Sequence, residues 1–184
     1  MIATVMLLDK QDFDPQQKNE DILRELIDFY AESIKMLAFT YVKNWSAAED
    51  ITQDVFIKCY EKMEGFRGDS TYKTWLYKIT RNKCKDYLKS KWYRSFIPTD
   101  FMKERFEATK EISTEDKVIN KFDDLALSQK VLTLPTKYRE VIILFYYEEL
   151  KIKEIQTLTN LNADTIKTRL RRGKQMLQKN VERG

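Results

Sequence analysis

GFRGDSTYKTWLYKITRNKCKDYLKSK, residues 65–91, decides how the rest of the chain reads. A loop carrying Gly65 and Gly68 leads into a helix expected to start near Ser70. At about 100° per residue, Leu76, Tyr77, Thr80, Cys84, Tyr87 and Leu88 share one side. Lys78, Asn82, Lys85 and Lys89 share the other, with Arg81 beside them and Trp75 at the edge. Charges on one row of a helix meet a single partner together. Ammonium groups neutralise phosphates and release counterions, and flat rings stack on unpaired bases. The loop Phe66-Arg67-Gly68-Asp69-Ser70 adds donors where an unstacked base could be held. The stripe therefore suits single-stranded or melted nucleic acid. The plain alternative is a solvated lysine face on an amphipathic helix.

Working upstream, residues 19–43 carry a broad helical stripe: Ile22, Leu23, Leu26, Ile27, Phe29 and Tyr30, continued by Met36, Leu37, Phe39 and Tyr41. Asn44-Trp45-Ser46 interrupts it, and Ser46 with Glu49 reads as a capping box opening the next helix, which runs to about Glu64. Ile51, Val55, Cys59 and Met63 form its core face. Asp50, Gln53, Asp54, Ile57 and Glu61 form the opposite one. An apolar residue ringed by carboxylates reads as a protein-docking surface, set against the commonplace of one outward isoleucine.

Downstream, periodicity fades after Lys91. Pro98 breaks any helix, and residues 96–116 read as a linker. A second helical unit takes Val118, Ile119, Phe122, Leu125, Ala126 and Leu127, then Val131, Leu132 and Leu134. Pro135 marks a further helix start, with Tyr138, Val141, Ile142, Phe145 and Tyr146 buried. Residues 151–178 read as a helix-turn-helix. Ile152, Ile155 and Leu158 point inward, Asn160-Leu161-Asn162 makes the turn, and Asn160 tolerates a left-handed conformation. The second helix buries Ile166, Leu170, Gly173 and Leu177. It presents Asp164, Thr168, Arg171 and Gln175, flanked by Lys167 and Arg172. Such a face fits a major groove, where arginine binds guanine bidentately. Arg169, nearer the core edge, is expected to pair with Glu154.

Composition sets the class. With four glycines and three prolines in 184 residues and little β-branched alternation, an all-α chain is expected. It divides into a tail (1–18), a helical domain (19–95), a linker (96–116) and a helix-turn-helix domain (117–184). The net charge is +4 and 34% of residues are charged, so charge is segregated by region rather than uniformly basic. Histidine is absent, which removes the usual general base and zinc ligand. No cofactor, metal, catalytic residue or small-molecule substrate is expected. The two cysteines, Cys59 and Cys84, both lie inside expected helices, which fits a reduced, cytoplasmic protein. The apolar opening MIATVMLL lacks a basic n-region and is too short for a span of about 20 residues.

Taken together, several blocks resemble the extracytoplasmic-function sigma factors, the small two-domain class of bacterial sigma factors. Ala48-Glu49-Asp50-Ile51-Thr52-Gln53-Asp54-Val55-Phe56 resembles that family's region 2.2. Phe66-Arg67-Gly68-Asp69-Ser70 with Thr74-Trp75-Leu76-Tyr77-Lys78-Ile79 resembles regions 2.3 and 2.4. Leu134-Pro135 and Tyr138-Arg139-Glu140-Val141 open region 4. Lys153-Glu154-Ile155 and Thr165-Ile166-Lys167-Thr168-Arg169-Leu170 with Arg172 resemble its helix-turn-helix. Gln156, Asn160 and Gly173 depart from the pattern, and Gly173 in place of a common alanine is expected to loosen the second helix.

The resemblance implies a non-enzymatic subunit with three grips. Asp50, Gln53, Asp54 and Ile57 would bind core RNA polymerase at the β′ coiled coil, with the β subunit a further contact. Phe66, Arg67, Asp69, Ser70, Trp75, Lys78, Asn82, Lys85 and Lys89 would hold the melted −10 strand. Thr165, Lys167, Thr168, Arg171, Arg172 and Lys174 would read the −35 duplex. An anti-sigma factor, often membrane-bound in this class, is the implied inhibitory partner. The two DNA sites lie roughly 50–55 Å apart, about one and a half duplex turns. A one-component helix-turn-helix regulator is the alternative. An enzyme acting on nucleic acid finds no support in a phosphate loop or metal cluster.

Overall fold

The computed structural model describes residues 18–95 and 130–181. All of the expected tail but Lys18, the linker and the apolar run 118–127 lie outside them.

Three helices build the N-terminal half: α1 (Asn19–Val42), α2 (Trp45–Lys62) and α3 (Tyr72–Ser95), with a 3-10 turn Met63–Gly65 after α2. They pack pairwise around Leu26, Ile34, Leu37, Val55, Cys59 and Leu76, all essentially without solvent contact. Two members of the expected α1 stripe, Ile27 and Phe29, instead lie at the surface, because the three-helix contact is narrower than the apolar pattern. Lys43, at φ 51°, stops α1 by turning left-handed and donating its N–H to Phe39 O. The next helix opens two residues before the expected box. Asn44 Oδ1 accepts the Ala47 N–H at 2.8 Å, so Asn44, not Ser46, is the cap, and Ser46 sits in the first turn. An asparagine side chain is short enough to reach that donor without help from Glu49. Likewise α3 begins at Tyr72 rather than Ser70, with Thr71 Oγ1 accepting the Thr74 N–H at 3.1 Å.

The C-terminal half is described from a helical turn at residues 130–133. It continues through α4 (Thr136–Ile142), a π-helical turn Ile143–Tyr147, α5 (Ile152–Thr159) and α6 (Ala163–Val181). Arg139 is buried and ties the turn before α4 together. Its guanidinium donates to Leu132 O at 2.8 Å, Leu134 O at 2.9 Å and Thr136 Oγ1 at 3.3 Å. Asn160 closes α5 in the left-handed conformation expected of it, at φ 57°. Gly173 stands at a close approach of α4 to α6. Ile142 packs so closely that a Cβ there would meet Ile142 Cγ1 at 3.0 Å, so the missing side chain leaves room for that isoleucine.

The two halves share one continuous apolar core, with α1 and α3 packed on α4 and α5. Both cysteines are buried in the N-terminal half, and burial pushes each thiol up to about 12. Among the described residues no helix is long and apolar enough to cross a membrane.

Candidate nucleic-acid interface

The loop between α2 and α3 and the first turns of α3 line an open cleft of about 630 Å³. Arg67, Asp69, Ser70, Trp75 and Lys78, all expected at this site, stand in its wall. Lys62, Glu64 and Thr74 join them, unforeseen because they lie on neighbouring elements rather than in the loop. Gly68 turns the loop at φ 78°, a conformation that a side chain would strain. Phe66 also lines the cleft, but from below. It is only 7% exposed, with its ring 4.5 Å from that of Tyr72 and 4.7 Å from that of Trp75. Phe66 is thus the floor that fixes the indole, not a free stacking surface, because the 3-10 turn points it into the core. Trp75, half-buried, keeps part of its ring open to the cleft.

Along α3, Asn82 and Lys89 are exposed while Lys78 and Lys85 are half-buried. Burial and then the Arg81 charge lower the Lys85 amine below the ordinary lysine value. Arg81 itself is buried, and its Nε donates to Glu140 Oε1 at 2.5 Å.

On α2, Asp50, Gln53, Asp54, Ile57 and Glu61 are all exposed, as their spacing required, and Ile57 is 60% exposed. Asp54 is not a free carboxylate, because Lys83 of α3 donates to its Oδ2 at 2.9 Å. Glu61 is bridged by Lys58 at 2.6 Å, and that hydrogen bond lowers its pKa.

The exposed side of α6 carries Lys167, Arg171, Arg172 and Lys174, with Thr165 and Thr168 half-buried beside them. Asn162 Oδ1 accepts the Thr165 N–H at 2.7 Å and so caps the helix that presents this face. A second hollow, about 340 Å³, lies against it. Asn162, Asp164, Thr165, Thr168, Arg169 and Arg172 line it together with Lys137 and Tyr138 of α4. The α4 pair escaped sequence reasoning because only tertiary packing brings it beside the turn. A hydrogen bond from Arg172 lowers the pKa of the Tyr138 phenol. Arg169 does not pair with Glu154. Its Nη1 lies 4.0 Å from Glu140 Oε2, while Glu154 accepts the Lys151 N–H at 2.7 Å and caps α5. A carboxylate at the third position of a helix is best used on its own N-terminal donors.

The chain thus offers one acidic-apolar face and two cationic grips, each on a different helix. Comparison with known proteins divides the chain between two family models. The Sigma-70 region 2 family model matches residues 26–94 and the Sigma-70 region 4 model matches 124–177. The ECF RNA polymerase sigma factor SigW of Bacillus subtilis is 29% identical over 96% of this chain and 97% of its own. RNA polymerase sigma factor SigV of the same organism is 31% identical, covering 89% and 93%. The fold is similar to that of the sigma factor RpoE bound to the anti-sigma factor NepR from Bartonella quintana. The TM-score there is 0.67 at 20% identity, over 89% of this chain and 98% of that one. CnrH in complex with the cytosolic domain of CnrY gives 0.61 at 18% identity, over 89% of each chain.

Proposed function

Because this chain belongs to the extracytoplasmic-function sigma factors, non-catalytic subunits that direct promoter-specific initiation by RNA polymerase, we propose that it divides that task among its three faces. The α2 face of Asp50, Gln53, Asp54 and Ile57 docks on core polymerase. The α2–α3 cleft and the α3 stripe hold the melted −10 strand, with Arg67, Asp69, Ser70, Trp75, Lys78, Asn82, Lys85 and Lys89 in contact and Phe66 supporting the tryptophan from below. The exposed face of α6 reads the −35 duplex through Thr165, Lys167, Thr168, Arg171, Arg172 and Lys174. Residues 19–95 and 117–184 are the two domains, and 96–116 is the tether between them. Membership of the family removes the one-component regulator and the nucleic-acid enzyme from contention.

The observation that carries this reading is the exposure of the three faces on helices whose opposite sides are locked in the core. Each face can meet its own partner without unfolding. An anti-sigma factor is the expected inhibitory partner, in keeping with the anti-sigma factor NepR bound to the RpoE relative, and the cytoplasm is the expected compartment. The deciding experiment is transcription with purified core polymerase on templates of randomised promoter sequence. Enrichment of start sites sharing two spaced elements supports the reading, and start sites unchanged by the protein refute it.

Two expected effects separate the grips. Lys85→Ala with Lys89→Ala should flatten the salt dependence of promoter opening. Removing two single-strand phosphate contacts lowers the log–log slope by about 1.4. An unaltered slope would take the stripe off the DNA path. Arg171→Ala should cost about 1–3 kcal/mol in −35 binding and relax preference at one base pair. An equal loss on every sequence would assign that arginine to phosphate.

A further inference from the structure

The hollow between α4 and α6 holds two side chains, Lys137 and Tyr138, to which the −35 reading gives no task. At about 100° per residue, Asp164, Arg171 and Gln175 share one row of α6, and Thr165, Arg169 and Arg172 share another about 100° round the helix. The second row lines the hollow together with the α4 pair. Lys137 Nζ lies 5.0 Å from the centre of the Tyr138 ring, and Lys137 and Arg172 both donate to the phenol oxygen. Two cations are thereby gathered on one neutral oxygen. Arg169 is spent on Glu140, but among the described residues no carboxylate pairs with Lys137 or Arg172.

The backbone that carries the α4 pair is held in place. Arg139 pins the bend before α4, and Gly173 lets that helix come near, since a Cβ there would stand 3.5 Å from Tyr138 Cβ. Asn162 already takes the Thr165 N–H, so the pull on an anion comes from side chains and not from the end of α6.

A major groove is about 12 Å wide, and a helix with its side chains is about 10–12 Å across. A reading helix therefore nearly fills the groove, and the rows beside its reading row meet the phosphates that wall it. Lys137 and Arg172 stand on one such flank. The hollow, about 340 Å³, has room for a phosphate group and several waters, at about 30 Å³ per water. Asp164, the one carboxylate in its lining, belongs to the reading row, where a carboxylate accepts from a cytosine amino group.

We propose that Lys137 and Tyr138, outside the helix-turn-helix, form with Arg172 a seat for one backbone phosphate of duplex DNA and so fix how α6 lies in the groove. Lys137 supplies charge. Tyr138 is a positioning residue that holds the Arg172 guanidinium toward the phosphate. This rests on the reading of α6 as the −35 helix given above. A phosphate contact carries no sequence information, so the seat adds affinity alike on every sequence.

The test titrates the full chain against a fluorescein-labelled duplex of random sequence between about 0.05 and 0.2 M salt, read by anisotropy. Lys137 is exposed, so its replacement leaves the core untouched. Lys137→Ala should flatten the log–log salt slope by about 0.9 and weaken binding about fivefold at about 0.15 M salt. Lys137→Arg should restore both. Tyr138→Phe should weaken binding about two- to tenfold at an unchanged slope and melting temperature, because every charge remains. Lys58→Ala, which removes the same charge from α2, should leave the slope as it is. An unaltered slope in Lys137→Ala would overturn the seat, as would an equal change in Lys58→Ala or on a random single strand. A wild type without measurable affinity for the duplex at the lowest salt would overturn it too. Wild-type affinity in Tyr138→Phe would remove the phenol from the seat. Transcription on the randomised templates is run alongside. Its failure refutes the reading of the faces, while the duplex slope still reports whether a phosphate sits at Lys137.

Discussion

Ile57→Arg should weaken binding to core polymerase by about 30- to 1,000-fold, a loss of about 2–4 kcal/mol typical of an interface hot spot. Ile57 stands out of α2, 60% exposed, with Asp50, Gln53 and Asp54 around it, and nothing in the fold requires it. Burying a branched apolar side chain at the centre of a charged rim is where an interface concentrates its energy, and a guanidinium placed there must be desolvated instead. Fold stability should stay within about 0.5 kcal/mol, as for surface substitutions elsewhere. Ile57 is a cleaner probe than Asp54, whose reversal to arginine would also face Lys83 with a like charge. Anisotropy titration of labelled protein against core polymerase, with a thermal melt of the same sample, measures both. Unchanged affinity would remove α2 from the docking surface.

The second large effect is on stability. Arg139→Met should destabilise the C-terminal half by about 2–6 kcal/mol, because it leaves two carbonyl oxygens without donors, at about 1–3 kcal/mol each. Those oxygens belong to Leu132 and Leu134, either side of the bend before α4. Methionine fills much of the space but supplies no donor. Arg139→Lys should recover only part of the loss, since one ammonium cannot reproduce the planar fork. Thr136→Ala, which removes only the 3.3 Å contact, should cost about 0.5 kcal/mol or less. Urea unfolding followed by circular dichroism would give these numbers, and −35 duplex binding should fail with the methionine variant. A methionine variant as stable as the parent would mean that water or backbone readjustment satisfies the bend.

The helices and their outward faces were legible because local periodicity fixes them: Ile51, Val55, Cys59 and Met63 had to be inside, and Asp50 and Ile57 outside. Asn160 was legible for a similar reason, since few residues accept a left-handed backbone at low cost. What escaped depends on contacts between distant elements. Phe66 looks like a loop aromatic until Tyr72 and Trp75 close over it. Arg81 looks like part of the basic stripe until Glu140 arrives from the other half. Glu140 and Glu148 are eight residues apart, which on a regular helix separates them by about 80°. The π-helical turn between them takes up one extra residue and brings both round to the same junction, and no periodicity rule anticipates such a turn.

The two thiols sealed beneath α2 and α3 carry a last implication. A sulfur that is neither ionised at neutral pH nor reachable by peroxide is chemically silent. Thiol oxidation would leave this subunit unmarked, so a thiol-borne alarm has to be registered by another molecule and delivered here as a change of company.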